Sequence, residues 1–131
     1  MSTKEILFRG KRLNNGVWVE GLPSYGINGN IGDMVVYKGF CNCSTIEVKP
    51  ETVCQYIGLD DKNSKKIFEG DICIICSSSI DEEDGYFVVK WNNEESRFFL
   101  DGEGIAVDFG SYYTYEIEVI GNIYDNPELL N

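Results

Sequence analysis

Five cysteines are the residues of this 131-residue chain whose spacing most suggests a chemical site. They fall as Cys41-x-Cys43, Cys54 and Cys73-x-x-Cys76, which resembles a scattered zinc site because thiolates bind zinc. The last pair lies among isoleucines in a predicted strand, where side chains alternate between faces. Cys73 and Cys76 should therefore point apart and pack as small hydrophobic residues. Cys41 and Cys43 could share a face near a loop, and they are the better candidates for a reactive pair.

Carboxylates form the second group of candidate residues. Glu69-Gly70-Asp71 brings together two acids that general acid–base catalysis could use, but adjacent side chains usually diverge. The triplet is more typical of a turn, in which Gly70 takes an unusual φ and Asp71 accepts hydrogen bonds from nearby N–H groups. The four acids at 81–84 lack the alternating spacing of a calcium loop. Like Glu94-Glu95, they are interpreted as an exposed loop.

The chain contains no histidine, which excludes Ser-His-Asp and Cys-His catalysis. It also removes the commonest general base and metal ligand. We therefore predict no catalytic, cofactor-binding or metal-ligating residue and no cofactor. An enzyme or metal protein that uses Glu69, Asp71 or the cysteines is kept as an alternative.

The chain is strongly acidic. Asp and Glu number 22 against 11 Lys and Arg, giving a formal charge of −11. Such a chain repels phosphate backbones, so direct binding of nucleic acid is not expected. The same charge suits solubility, a basic partner or imitation of nucleic acid.

The location of the protein is predicted from what the sequence lacks. No apolar run approaches the roughly 18 residues of a membrane span. The first residues, Met1 to Ile6, have no apolar core of the signal-peptide kind. An odd number of cysteines without such a signal fits reduced thiols. We expect a cytoplasmic protein that does not bind membranes.

The candidate side chains must be positioned by short strands, and the first half of the chain contains several of these. Asn14-Asn15-Gly16 predicts a hairpin turn between the strands Ile6–Phe8 and Val17–Glu20. Residues 21–33 are rich in Gly, Asn, Ser and Pro and predict a loop. Two further strands are predicted at Met34–Tyr37 and Ser44–Val48. A helical turn follows at Lys49–Val53, with Pro50 at its first helical position, and then an extended segment at Gln55–Leu59.

The second half shows the same pattern of short strands. Strands are predicted at Ile72–Cys76, Tyr86–Trp91, Arg97–Leu100 and Tyr115–Ile120, and a short helix at Pro127–Leu130 with Asn126 as its N-cap. Ile72–Cys76 is apolar on both faces and is expected at the centre of the fold. Trp91, Phe98 and Phe99 are expected in the core. Tyr112, Tyr113 and Tyr115 are expected to pack across strands. The alternative is that they are partly exposed after a Gly-rich loop and suit protein contacts.

These elements predict a mainly β protein with few short helical turns. Its length fits one domain over residues 1–131. Within it, residues 1–58 are expected to form an N-terminal β layer of hairpins, and residues 67–124 an SH3-like small barrel.

Several segments resemble the YopX family of phage and prophage proteins. The segment from Cys54 to Ile72, which ends in Glu69-Gly70-Asp71-Ile72, resembles the family's central signature. Ile6–Gly10, Val88–Trp91 and Glu118–Leu130 resemble its opening, a middle strand and its ending, in the right order. Ser64 stands where the family often has glycine, so that turn could differ, and Gly10 replaces a typical alanine. For residues 21–46 no similar segment of the family is identified.

The resemblance implies a mostly β, phage- or prophage-encoded protein in the cytoplasm of a bacterial host, able to self-associate and without an established reaction. We predict a non-enzymatic accessory protein that binds other proteins or itself. One alternative is an acidic mimic of nucleic acid or an inhibitor of a basic host protein. Exposed strand edges and tyrosine-rich loops also predict a homo-oligomer.

Overall fold

A computed structural model describes residues 5–26, 29, 31–37, 39, 42–75, 86–102, 105–109 and 116–130. The chain divides into two compact units, Met1–Tyr56 and Ile57–Asn131. The described strands are β1 (Phe8–Lys11), β2 (Trp18–Tyr25), β3 (Ile31–Tyr37), β4 (Cys43–Glu47), β5 (Cys54–Asp60), β6 (Lys66–Phe68), β7 (Asp71–Ile75), β8 (Phe87–Asn92), β9 (Arg97–Gly102), β10 (Ile105–Asp108) and β11 (Ile117–Asn122). Two 3₁₀ turns, Pro50–Thr52 and Pro127–Leu130, are the helical elements described. The predicted mainly β class with short helical turns is confirmed.

The first unit is an antiparallel sheet in the order β4-β3-β2-β1-β5. Its opening hairpin is confirmed, with Gly16 at φ +71° between β1 and β2. The chain after β4 returns to the end of β1, where Arg12 and Val48 form an isolated bridge. The 3₁₀ turn then leads into β5, which continues past Tyr56 into the second unit.

The loop predicted at 21–33 is wrong, because β2 extends to Tyr25 and β3 begins at Ile31. Its Gly and Pro residues suggested a break, yet Leu22 pairs with Val35 across the two strands. A Cβ on Gly21 would lie 2.3 Å from the carbonyl oxygen of Val35. Glycine is used here for close approach of two strands rather than for a turn.

The second unit contains a five-stranded antiparallel sheet in the order β10-β9-β8-β7-β11. Strand β7 lies inside this sheet, between β8 and β11, and the adjacent residues Ile72 and Cys73 are fully buried, so the prediction of a strand that is apolar and buried on both faces is confirmed. The core is built from seven buried residues: Ile67, Cys73, Ile75, Val89, Leu100, Ile117 and Val119. Burial of each large aliphatic side chain stabilises the fold by about 1.5–3 kcal/mol. As described, β10 and β11 do not pair with each other, the sheet is not closed, and an SH3-like barrel is not confirmed.

Trp91 was expected in the core, and this prediction is wrong. Trp91 pairs with Phe98 on the face that carries Val89 and Leu100, but at the far end of the β8–β9 hairpin. There the indole is 43% exposed and packs edge-on against Phe98, with ring centroids 4.9 Å apart. Phe98 and Phe99 are half-buried. Strand alternation therefore predicted the face of Trp91 correctly, but Trp91 lies beyond the end of the buried core on that face.

Candidate functional site

Asp61 is a buried carboxylate at the end of β5. Its Oδ1 accepts hydrogen bonds from the main-chain N–H groups of Asn63 and Lys65, both at 2.9 Å. Its Oδ2 accepts another from Val119 in β11, also at 2.9 Å. Burial raises the pKa of Asp61, but these three N–H groups and the charge of Lys65 outweigh burial and hold the pKa below its ordinary value. Asp61 is thus a charged support for the β5–β6 turn and β11.

Ser64 lies at the tip of the same turn with φ +64°. This is the left-handed conformation that glycine adopts most easily. Its N–H donates to the carbonyl of Asp61 at 3.0 Å. Ser64, where the resemblance implies a glycine, therefore has a backbone conformation that suits glycine.

Glu69-Gly70-Asp71 forms the turn between β6 and β7. The Oδ2 of buried Asp71 accepts the N–H of Phe68 at 2.8 Å, and Gly70 has φ +87°. Gly70 also donates to Val89 at 2.8 Å and accepts from Ile123 at 2.9 Å. The interpretation of this triplet as a turn is confirmed. These hydrogen bonds tie one glycine to β8 and to the segment after β11.

The end of β11 is fixed by amide side chains. The Oδ1 of Asn122 accepts the N–H groups of Tyr124 and Asp125, at 3.0 and 2.9 Å. The Oδ1 of Asn126 accepts the N–H of Asn122 at 3.2 Å. The terminal helical turn is confirmed as 3₁₀, while the carboxamide of Asn126, predicted as its N-cap, bonds back to β11.

Three of the five cysteines are described, and none of these three forms a disulfide. Cys73 is in the core as expected, and burial, followed by the charges of Asp71 and Asp61, raises the pKa of its thiol. Cys54 is also buried and donates through Sγ to a carbonyl in the 3₁₀ turn at 3.2 Å. Cys43 is exposed on β4.

Several predicted features lie outside the described residues. They are Cys41, Cys76, the acidic run 81–84, and Tyr112, Tyr113 and Tyr115. Within the described ranges, no group of three or more His, Cys, Asp or Glu is placed to hold a metal ion. Glu94 and Glu95 are exposed at the hairpin tip as predicted, where Asn92 Oδ1 accepts both of their N–H groups at 3.0 Å.

The first unit contains a cation–aromatic cluster that sequence reasoning missed. The guanidinium of Arg9 lies 4.5 Å from the ring centroid of Trp18, and Lys11 Nζ lies 5.4 Å from it. Arg9 is only 8% exposed. Strand alternation could have indicated the cluster, because Arg9 and Lys11 share a face and Lys11 pairs with Trp18.

Charge is divided unequally between the two units. Residues 57–131 contain 17 of the 22 acidic and 5 of the 11 basic residues, a formal charge of −12. Residues 1–56 contain the other 5 acidic and 6 basic residues, a formal charge of +1. The acidity seen in the whole sequence is therefore a property of the second unit.

The described residues define an all-β protein. Its buried polar side chains Asp61, Asp71 and Asn122 accept hydrogen bonds from main-chain N–H groups of the same unit. The chain belongs to the YopX family, since a family model described as YopX protein matches residues 7–131. This match confirms the resemblance found in the sequence, and it also covers residues 21–46, where the sequence alone showed none. The crystal structure of protein EF1440 from Enterococcus faecalis is similar, with 25% identity and a TM-score of 0.68, over 98% of this chain and 100% of that one. No curated protein matches the chain.

Among the residues that are described, no helix is long and apolar enough to cross a membrane.

Proposed function

We propose that this chain is a non-enzymatic accessory protein of a phage or prophage that acts in the bacterial cytoplasm by binding other proteins. The observation that carries the proposal is the role of its signature polar residues. Asp61, Asp71 and Asn122 all accept hydrogen bonds from main-chain N–H groups of their own unit. A residue whose polar atoms fix the fold has little freedom to bind or transform a substrate.

Exposed aromatic side chains support the same proposal. Tyr25 and Tyr37 are 68% and 67% exposed in the first unit, and Trp91 is exposed in the second. Large aromatic residues supply apolar area and a polar atom together, so they are frequent anchors in protein interfaces.

Site-specific cross-linking in living cells tests this function. A photoreactive phenylalanine is placed at Tyr25, Tyr37 or Trp91, and at exposed Glu51 as the control. We expect one protein adduct, identified by mass spectrometry, from at least one aromatic site and not from Glu51. The adduct must also form when both proteins are purified. If no aromatic site gives such an adduct in infected or lysogenic cells, the proposed function is wrong.

A second candidate, an inhibitor of a basic host protein or a mimic of nucleic acid, is supported by the charge of −12 in residues 57–131. A concentrated negative field attracts basic proteins and speeds their association. The immobilised chain should retain basic nucleic-acid-binding proteins at low salt and release them when duplex DNA is added. Replacing Glu94 and Glu128 with Gln should weaken retention more than replacing Glu5 and Glu51. Equal effects of the two pairs would count against this candidate.

Self-association remains a prediction and is independent of both candidates. Light scattering of the purified chain is expected to give a mass above that of one copy. A strict monomer at all concentrations would refute it.

A further inference from the structure

A cleft of about 440 Å³ opens in the first unit between the turn that follows β1 and strand β4. Its walls are formed by Arg12, Leu13, Asn14, Thr45, Ile46 and Glu47. The volume is within the range of about 300–1,000 Å³ found for ligand pockets. The cleft is therefore large enough to hold side chains of a partner.

One wall of the cleft is an open strand edge. Val48 donates its N–H to Gly32 in β3 at 3.1 Å, whereas the carbonyl of Glu47 accepts the N–H of Leu13 at 3.0 Å. Main-chain groups of successive residues in a strand point to opposite sides. Thr45 lies two residues before Glu47, so its N–H and C=O point away from β3. Among the described strands β4 pairs with β3 alone, which leaves these two groups available for a further strand.

The opposite wall carries the half-buried side chain of Arg12. Arg12 Nε is buried and has no hydrogen-bond partner among the described residues. Glu47 lines the same cleft, yet it forms no ion pair with Arg12 in the described part of the chain. An arginine stays charged in proteins, and a buried donor without an acceptor destabilises the fold. A carboxylate is the group that best matches this donor.

We propose that the cleft binds an extended segment of a partner protein, which pairs with the open edge of β4 at Thr45 and places a carboxylate on Arg12. The inference rests on the proposed protein-binding function and names its site. Strand addition of this kind takes affinity from main-chain hydrogen bonds and specificity from side-chain pockets. Exposed Leu13 offers an apolar contact beside the charge. The charge of +1 on residues 1–56 does not repel an acidic segment.

Selection from a library of displayed random peptides on the full chain tests the inference. Enriched peptides are synthesised, and their dissociation constants are measured by fluorescence polarisation. We expect an Asp or Glu at one fixed position among β-prone residues. Replacing Arg12 with Gln should weaken binding about tenfold or more, because it removes the charged partner.

The second variant, Thr45→Pro, removes the outward N–H and leaves the hydrogen bonds to β3 intact. It should also weaken binding about tenfold, since one main-chain hydrogen bond and its neighbours are lost. Thr45→Val is the matched control that keeps the N–H, and Arg97→Gln is the control for loss of an arginine in the other unit. Both controls should bind as the original chain does. Amide NMR spectra confirm that each variant is folded.

Each outcome decides the inference. Loss of binding with Arg12→Gln but not with Thr45→Pro would indicate a simple carboxylate site and overturn strand addition. Peptides that bind both variants normally, or a selection without enrichment, would overturn the site altogether. A cross-linked partner that is found in cells but is insensitive to both variants would preserve the proposed function while removing this cleft from it.

Discussion

The carboxylate of Asp61 and the main chain of Val119, 58 residues apart in sequence, are joined by a hydrogen bond of 2.9 Å. The same carboxylate orders its own turn through the N–H groups of Asn63 and Lys65. One side chain therefore closes a local turn and attaches a distant strand to it. Because both oxygens accept only from N–H groups, the fold uses the ionised form of Asp61.

We expect Asp61→Asn to lower the free energy of unfolding by about 2 kcal/mol, because an amide replaces a charged acceptor and one of its two polar atoms is a donor. Urea denaturation at pH 7 measures the loss. The neighbouring Asp60→Asn, at an exposed position, is the control and should change the free energy by less than about 0.5 kcal/mol. Equal effects of the two variants would contradict the role given to Asp61.

The pH dependence of stability follows from the lowered pKa of Asp61. Since the folded pKa is below the unfolded value of about 3.9, the stabilisation is complete above that value and is lost as the pH falls through the folded pKa. Urea midpoints measured between pH 7 and pH 2 should therefore fall less steeply in Asp61→Asn than in the original chain. Parallel curves for the two proteins would show that Asp61 is not responsible.

Ser64→Gly is expected to stabilise the protein by about 0.5–1 kcal/mol. A left-handed φ strains serine by roughly 1–2 kcal/mol, and the greater entropy of unfolded glycine offsets part of the gain. Thermal denaturation should show a higher midpoint. Ser64→Ala keeps the strained φ and provides the comparison, so a rise in midpoint with alanine as well would disprove the explanation by φ.

Gly121→Ala should destabilise the second unit by about 1–3 kcal/mol. An added Cβ would lie 2.5 Å from Asn126 Oδ1, the atom that accepts the N–H of Asn122. Gly32→Ala, with nothing within 4 Å of the new Cβ and an ordinary φ, is the matched control. Loss of protection of the Asn122 amide in hydrogen exchange would locate the effect, and full protection in the variant would argue against it.

The described cysteines should differ in reactivity. Cys43 is exposed, whereas Cys54 and Cys73 are buried and burial raises the pKa of Cys73. Iodoacetamide at pH 8 is expected to label Cys43 within minutes and the other two only after urea is added. Mass spectrometry of the digested chain, with fragmentation to assign each site, measures the labelling. Rapid labelling of native Cys73 would show that the core opens far more often than its burial implies.

Much of the β architecture was predictable because its signals are local. Alternation and turn residues placed β7 and β8 close to their observed positions, and Asn14-Asn15-Gly16 predicted the first hairpin. The end of β2 and the start of β3 were missed because they contain residue types that normally break strands, such as Gly21 and Pro23. Gly21 acts through a neighbour fourteen residues away, Val35, and no local pattern encodes that approach.

The candidate site was less accessible to sequence reasoning. The turn role of Glu69-Gly70-Asp71 was predictable, since glycine followed by aspartate is a frequent turn pair. The buried state of Asp61 and the cleft beside Arg12 were not. Both depend on which strand lies opposite, and that is decided by pairing between distant segments.

The order of strand pairing has a consequence for how the chain folds during synthesis. Each of β1 to β3 pairs with the next strand to leave the ribosome, so these pairings can form one after another. In the second unit, β7 cannot pair with β11, and Asp61 cannot accept the N–H of Val119, until β11 has been synthesised. The more acidic unit must therefore stay incomplete until its last strand is made. During that interval, its negative charge keeps the unfinished chains apart and limits their aggregation.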